Sequence, residues 1–374
     1  MVTQDFVPAA FYRGGSSKGV FFHARHCPQD RRALDAMLLS VLGSPDPYGR
    51  QLDGMGGGTS SLSKAVIIGP STHPEADVDY TFAQVAVDRP VVDWGANCGN
   101  LSSAVGPFAV DEGLVAVSDG EALVRIHQVN TRKIIHARFP VRQRRAETSG
   151  DFTIDGVSGS GARIALDFID PGGTLTAGLL PSGKALESIE VDGRAFEVSF
   201  VDATNPVVFV AAEQVGLDVS LSPDAIEADR SLMSLLDRIR RLAGVRMGLG
   251  KSPEEIGLAN PKIAAIAPPA AFTSLDKRNF GPEAHDIAVR MLSMERVHRA
   301  VTLTGAMCLA VAARIEGTLA YRLATSNAGS DAVRVGHPSG LVAADAQVKR
   351  RGNEWHVERA TVYRTARRLM QGEV

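Results

Sequence analysis

The sequence predicts an α+β protein built as two domains of similar plan. Three observations predict it. At 374 residues the chain exceeds the usual size of a single hydrophobic core. Short apolar runs separated by glycine turns read as strands, with few helices among them. Each half also repeats one order: strands, an Asn/Gly or Thr/Gly loop, then a helix of small residues, as an internal duplication would leave. The division is drawn at 1–192 and 193–357, with 358–374 a candidate to return to the first domain.

The elements follow in order. Residues 7–12 and 20–23 read as strands on either side of the polar loop Arg13-Gly14-Gly15-Ser16-Ser17-Lys18-Gly19. Leu34, Met37, Leu38, Val41 and Leu42 recur at helical spacing over 31–42, and Gly43-Ser44-Pro45 stops that helix. A strand over 64–68 follows the loop Asp53 to Ser61, and 78–87 alternates as another strand. Residues 101–108 form the first small-residue helix, and 123–140 and 152–168 continue in strands. The second domain begins near Phe196, with strands at 196–201 and 207–211. Helices over 225–242 and 306–314 follow, and strands over 332–337 and 354–363 close the chain.

Composition narrows the partners. A net charge of -2 provides no electrostatic reason to expect nucleic acid or an acidic membrane surface. Three cysteines, Cys27, Cys98 and Cys308, cannot all pair, and none lies in a zinc-ligand spacing, so no metal or other cofactor is expected. No signal peptide is read at the N-terminus and no apolar run reaches the roughly 20 residues of a membrane span. The expectation is a cytoplasmic protein, with a homodimer an open option.

Val91-Val92-Asp93-Trp94-Gly95-Ala96-Asn97-Cys98-Gly99-Asn100-Leu101 is the most informative stretch. It places Cys98 in a tight polar loop at a helix start, where the macrodipole and backbone N–H groups favour a thiolate. An apolar core has no use for the flanking asparagines, so Cys98 reads as chemical. Lys64 opens the apolar strand Ala65-Val66-Ile67-Ile68. A lysine there is either a partly desolvated base or an edge-strand charge that opposes aggregation. Thr302-Leu303-Thr304-Gly305-Ala306 starts the second small-residue helix and either binds a carboxylate through backbone N–H groups or is an ordinary capped core helix. His337, in a turn after a strand, is equally a ligand or a turn residue. Gly250-Lys251-Ser252 resembles the end of a phosphate loop, but Val245 stands where the first glycine belongs, and a nucleotide enzyme is set aside.

These residues resemble the 2-methylaconitate cis–trans isomerase family, the PrpF family. The matching stretches are Tyr12-Arg13-Gly14-Gly15-Ser16-Ser17-Lys18-Gly19-Val20-Phe21-Phe22, 43–48, Asp53-Gly54-Met55-Gly56-Gly57, Thr59-Ser60-Ser61-Leu62-Ser63-Lys64 and Val78-Asp79-Tyr80. They continue at Val92-Asp93-Trp94, Asn97-Cys98-Gly99-Asn100-Leu101, Lys262, Leu292-Ser293-Met294 and Gly336-His337-Pro338-Ser339-Gly340. The resemblance implies two diaminopimelate epimerase-like domains, each a curved, mostly antiparallel, barrel-like sheet around a central helix, with the active site in the cleft between. The epimerases carry a second cysteine at the start of the second central helix. Here that region is Leu303-Thr304-Gly305-Ala306, with Cys308 further in, so the two-thiol racemase mechanism does not transfer. In the isomerase family a lysine matching Lys64 partners the cysteine, which implies Lys64 and Cys98 as the catalytic pair.

The activity implied is cofactor-independent isomerisation of a small di- or tricarboxylate. Methylaconitate isomerisation in propionate breakdown ranks first, 4-oxalomesaconate tautomerisation second, and aconitate or methylitaconate isomerisation stays open. An accessory binding protein for an aconitase-like hydratase is the non-enzyme alternative. Two or three substrate charges require donors. The expected set is Arg13, Ser16, Ser17, Lys18, Ser60, Ser61, Asn97, Gly99 and Asn100 from the first domain, with Asn205, Thr304, Gly305, Ala306, His337 and Ser339 from the second.

Overall fold

The structure is a computed structural model and describes residues 6–95, 97–258, 260–293, 296–325 and 332–374. Ala96 of the cysteine loop and Met294 of a matching segment lie outside the described residues. The chain forms two compact units: one runs to Asp167 and resumes with Tyr363–Val374, the other is Phe168–Val362. The border expected at 192/193 falls inside the turn of an antiparallel hairpin, Glu187–Val191 with Arg194–Asp202. Ladder hydrogen bonds keep both arms of such a hairpin together.

In the first unit, β1 (Pro8–Gly14) and β2 (Ser17–His23) make an antiparallel hairpin. The C-terminal strand Ala366–Glu373 lies on the other edge of β1, also antiparallel. Helix α1 (Arg31–Leu42) starts where the Asp30 carboxylate accepts from Ala33 N and stops at Gly43, which has a left-handed φ of 70°. β3 (Lys64–Pro70) runs parallel to β2 and antiparallel to β4 (Val78–Val85), which ends two residues before the expected Val87. β5 (Val92–Asp93) leads into α2 (Gly99–Asp111). β6 (Gly120–Gln128) and β7 (Lys133–Arg142) form a further hairpin, so 123–140 is two strands. Nearly every residue of α2 is buried, which suits its small, apolar composition. At Gly106 a Cβ would sit 2.6 Å from the Phe139 ring, so only glycine lets β7 close onto the helix there. Tyr12, Phe21 and Phe108 make one aromatic cluster with centroids 5.0–6.0 Å apart, tying β1, β2 and α2 together.

The second unit repeats this plan. The strands Arg194–Asp202 and Pro206–Ala211 form an antiparallel hairpin. The strand Lys262–Ala267 pairs parallel to the second arm and antiparallel to Ile287–Ser293. The helix expected over 225–242 is two helices, α3 (Pro223–Ala228) and α4 (Arg230–Arg246). Asp229 breaks them: with φ −81° and ψ 87° it leaves helical geometry, and its carboxylate caps Leu232 N. Leu232, Leu236, Ile239 and Ala243 line the buried face of α4 against Ile189, Phe196 and Val198. The central helix α5 is Leu303–Ala312 and is almost wholly buried. Among the described residues no helix is long and apolar enough to cross a membrane.

Candidate active site

Lys64 is the first residue of β3 and only 9% exposed. Its cross-strand partner on β4 is Gln84, and Lys64 Nζ donates to Gln84 Oε1 at 2.9 Å. Gln84 in turn donates from Nε2 to the carbonyls of Ser60 and Ser63, at 3.0 and 2.9 Å. The Gln84 amide is therefore fixed with its oxygen toward the lysine. The Phe82 ring, two residues back on the same face of β4, lies 5.0 Å from the ammonium nitrogen. A neutral acceptor and an aromatic face hold Lys64; no carboxylate forms an ion pair with it among the described residues.

Cys98 occupies the N-cap of α2 with φ −111° and ψ 95°, is 7% exposed, and makes no side-chain capping bond. Its carbonyl carries the local hydrogen bonds: Ser102 N and Ser102 Oγ donate to it at 3.0 Å each, and Tyr80 Oη at 3.4 Å. The Tyr80 phenol is held well above its usual range, first by burial and then by the neighbouring thiol. The N–H groups of Gly99, Asn100 and Leu101 donate to no described residue, leaving the first turn of α2 open. Asn97 Oδ1 accepts from Ser102 Oγ at 3.4 Å.

The glycine loop between β1 and β2 sits against this helix start. A Cβ on Gly14 would lie 2.7 Å from Asn100 O, and one on Gly19 would lie 2.8 Å from Lys64 O. Glycine here thus brings β1, β2, β3 and α2 within one contact distance, rather than cradling a phosphate. Asn100 Nδ2 donates to Ser16 Oγ at 3.2 Å, and Lys18 N donates to Ser61 O at 3.1 Å. The Ser61 hydroxyl shares a bond with Thr59 at 3.1 Å, whereas Ser17 is buried. The expected residues Ser16, Lys18, Ser60, Ser61, Asn97 and Asn100 are therefore bonded within the loops next to Lys64 and Cys98, with Gly99 in the open helix start. Gly19 packs between Lys64 O and the Leu101 side chain. Arg13 has a different task. Its Nη1 donates to Gly15 O and Thr365 O, at 3.0 and 2.9 Å, stapling the loop to the C-terminal segment.

In the second unit the helix start carries a side-chain cap, although the N–H groups of Leu303 and Thr304 donate to no described residue. Thr302 Oγ1 caps Gly305 N at 3.1 Å, and Ala306 N donates to Thr302 O at 2.8 Å. The N–H groups of Gly305 and Ala306, expected as carboxylate donors, are thus already spent inside the helix. Gly305 is glycine for packing: a Cβ would lie 2.5 Å from Met291 Cε. Thr304 O accepts from Thr204 Oγ1 at 2.8 Å, and Asn205 Nδ2 donates to Pro206 O at 3.2 Å. His337 is 4% exposed and accepts from Ser339 N at 3.2 Å, and Ser339 Oγ donates to Arg299 O at 2.6 Å. Asn205 and His337 thus make bonds within their own turns, whereas Thr304 and Ser339 are tied to distant segments.

Comparison with known proteins decides the family. The model described as PrpF protein matches residues 4–374. The chain belongs to the PrpF family. It is 40% identical to a 2-methyl-aconitate isomerase of Cupriavidus necator, covering 100% of this chain and 98% of that protein. The crystal structure of a methylitaconate-delta-isomerase superposes with a TM-score of 0.90 at 37% identity, covering 100% of this chain and 96% of that one. A hydroxyproline epimerase from Agrobacterium vitis shares the fold, with a TM-score of 0.57 at 12% identity over 100% of this chain and 94% of that one. The epimerase-like fold expected from the sequence is the fold observed.

The sequence reading gave no site role to several residues of this PrpF family member. Gln84 and Phe82 were legible as one face of an alternating strand, but their register against Lys64 was not. Lys262 opens its strand as Lys64 does, and its Nζ donates to Ser293 Oγ at 3.1 Å. Burial, with the Arg240 charge, pulls Lys262 down to about 8. His298 is held near 4 by burial, and its Nδ1 accepts from Ala300 N at 3.1 Å. Arg364, at the end of the strand Glu354–Arg364, bonds to Asn100.

Proposed function

We propose that this chain is an acid–base isomerase of small unsaturated polycarboxylates, with 2-methylaconitate cis–trans exchange as its reaction. One observation carries the reading. A buried lysine amine held on a side-chain carbonyl opens a strand whose start is packed, through Gly19, against the open helix start that has Cys98 as its N-cap residue. A Cβ on Gly19 would meet both Lys64 O and Leu101 Cδ1. The name of the Cupriavidus necator relative supports the substrate.

Lys64, as the free amine, removes a proton from the carbon next to the conjugated carboxylate. The C–H electron pair spreads into a dienolate whose charge develops on the carboxylate oxygens. The unspent N–H groups of Gly99, Asn100 and Leu101 are suited to meet that charge, as in an oxyanion hole. Gln84 keeps the amine aimed while accepting one of its hydrogens. Return of a proton to the original carbon after rotation exchanges cis for trans. Return at the far allylic carbon, from the Cys98 thiol or the Lys64 ammonium, shifts the double bond instead. The methylitaconate name of the structural relative makes that shift the second arm of the same test.

The experiment is proton NMR in deuterated buffer with 2-methylaconitate, aconitate, methylitaconate and 4-oxalomesaconate. Isomerisation with deuterium entering the substrate is expected, fastest with 2-methylaconitate. Lys64→Met should keep the fold and lose at least about a hundredfold in turnover, the scale of a missing general base. Near-parental turnover in that variant removes Lys64 from the chemistry, and no exchange with any of the four acids removes the reading itself.

A further inference from the structure

Arg364 ends the strand Glu354–Arg364 and is only 9% exposed. Its Nε donates to Asn100 Oδ1 at 3.2 Å and its Nη1 to Tyr363 O at 2.8 Å. Nη2 donates to no described residue, and no carboxylate among the described residues pairs with this guanidinium. The neighbouring Arg368, in contrast, contacts Asp111 and Glu112. Burial lowers Arg364 to about 10. A buried cation without a counter-charge is costly, and an arriving anion would offset that cost.

The local packing is arranged around this contact. Gly15 has a φ of +52°, and a Cβ there would lie 2.3 Å from Asn100 Oδ1 and 3.1 Å from Arg364 Cδ. Any other residue at 15 would both strain the backbone and push the arginine off the asparagine. Because arginine can only donate, it fixes the Asn100 amide with oxygen inward, which sends Nδ2 to Ser16 Oγ. Asn100 is the second residue of α2, in the turn whose N–H groups are unspent. Positive charge, an oriented amide and open helix donors thus converge, and among the described residues no carboxylate pairs with that guanidinium.

We infer that Arg364 is a positioning and specificity residue for the substrate. It orients Asn100 and Ser16, and its unbonded Nη2 receives a substrate carboxylate held at the start of α2. This inference rests on the proposed reading of the site as one for polycarboxylates. It predicts that Arg364 governs binding more than turnover.

The test uses the full chain with trans-aconitate as the binding probe and 2-methylaconitate as the turnover probe. Arg364→Gln should raise the Kd and KM by about thirtyfold or more, the scale of a lost buried charge contact, with a much smaller change in kcat. Arg364→Lys keeps the charge without the fork and should recover part of the binding. Asn100→Ala keeps Arg364 and tests the orienting role separately: KM should rise, by less than in Arg364→Gln. If Arg364→Gln does not fold, Arg364→Lys and Asn100→Ala carry the test alone. A parent protein that binds trans-aconitate while folded Arg364 variants bind it equally well overturns this inference and leaves the function intact. A parent that binds and converts no carboxylate overturns the function instead.

Discussion

In the first unit β3, parallel to β2 and antiparallel to β4, puts Lys64 opposite Gln84; in the second a strand with the same two pairings puts Lys262 opposite Ser293. Each unit then enters its central helix, at Cys98 in one and Thr302 in the other. Both N-cap carbonyls accept a helix N–H, from Ser102 in one and Ala306 in the other. The Thr302 hydroxyl also caps Gly305 N, whereas Cys98 makes no side-chain cap and leaves Leu101 N open along with Gly99 and Asn100. The two helix starts of the duplicated plan therefore differ by one side-chain cap, and α2 keeps one more open N–H than α5. A side-chain cap satisfies one orphan N–H of a helix start and removes that donor from those that could meet an anion.

The thiols should break this comparison most visibly. Cys98→Ser should lower turnover by about a hundredfold, as expected for a lost acid–base group, while Cys308→Ala leaves turnover near the parent. Cys308 donates to Val201 O, is fully buried, and is pushed far up by that burial; Cys27 is pushed up to about 11. Iodoacetamide should accordingly label Cys98 first by peptide mass mapping, and trans-aconitate should protect it. Equal labelling of all three, unaffected by the acid, would reduce Cys98 to a structural residue.

The lysines sharpen it. Lys262 is drawn from its ordinary 10.5 down to about 8, so the folded state holds that proton less tightly than the unfolded chain. Between those values the unfolded state binds more protons, and stability should rise with pH across the window from about 8 to 10.5. Urea midpoints across this range should show a shallower rise in Lys262→Met than in the parent. An unchanged slope would mean that Lys262 does not titrate there.

The smallest effect concerns the caps. Thr302→Ala should cost about 1 kcal/mol of stability, the value of a lost N-cap bond, and Cys98→Ala clearly less. Chemical denaturation of both variants measures the difference. Similar losses would show that Cys98 also supports its helix.

Legibility in the sequence followed the range of the forces involved. The helix Arg31–Leu42 was read with its true ends because Asp30 caps it, Gly43 stops it and its apolar spacing is local. The helix over 225–242 was read as continuous because Asp229 looks like any polar surface residue until its side chain turns to cap Leu232. The start at 306 was late by three residues, since Thr302 signals a cap only when its hydroxyl is seen on Gly305. Gly305 and Ala306 were read as open donors for the same reason.

By itself the sequence determined the alternation of strands and small-residue helices, the plan shared by both halves, and the candidacy of Lys64 and Cys98 within their short motifs. These depend on periodicity, turn chemistry and neighbours a few positions away. Tertiary structure decided which neighbours those residues have: Gln84 facing Lys64, Gly14 and Gly19 pressed against α2 and β3, and Arg364 on Asn100 across 264 positions. No local pattern encodes strand register or the meeting of distant segments, because both are settled by which packing buries the apolar faces and satisfies the polar groups together.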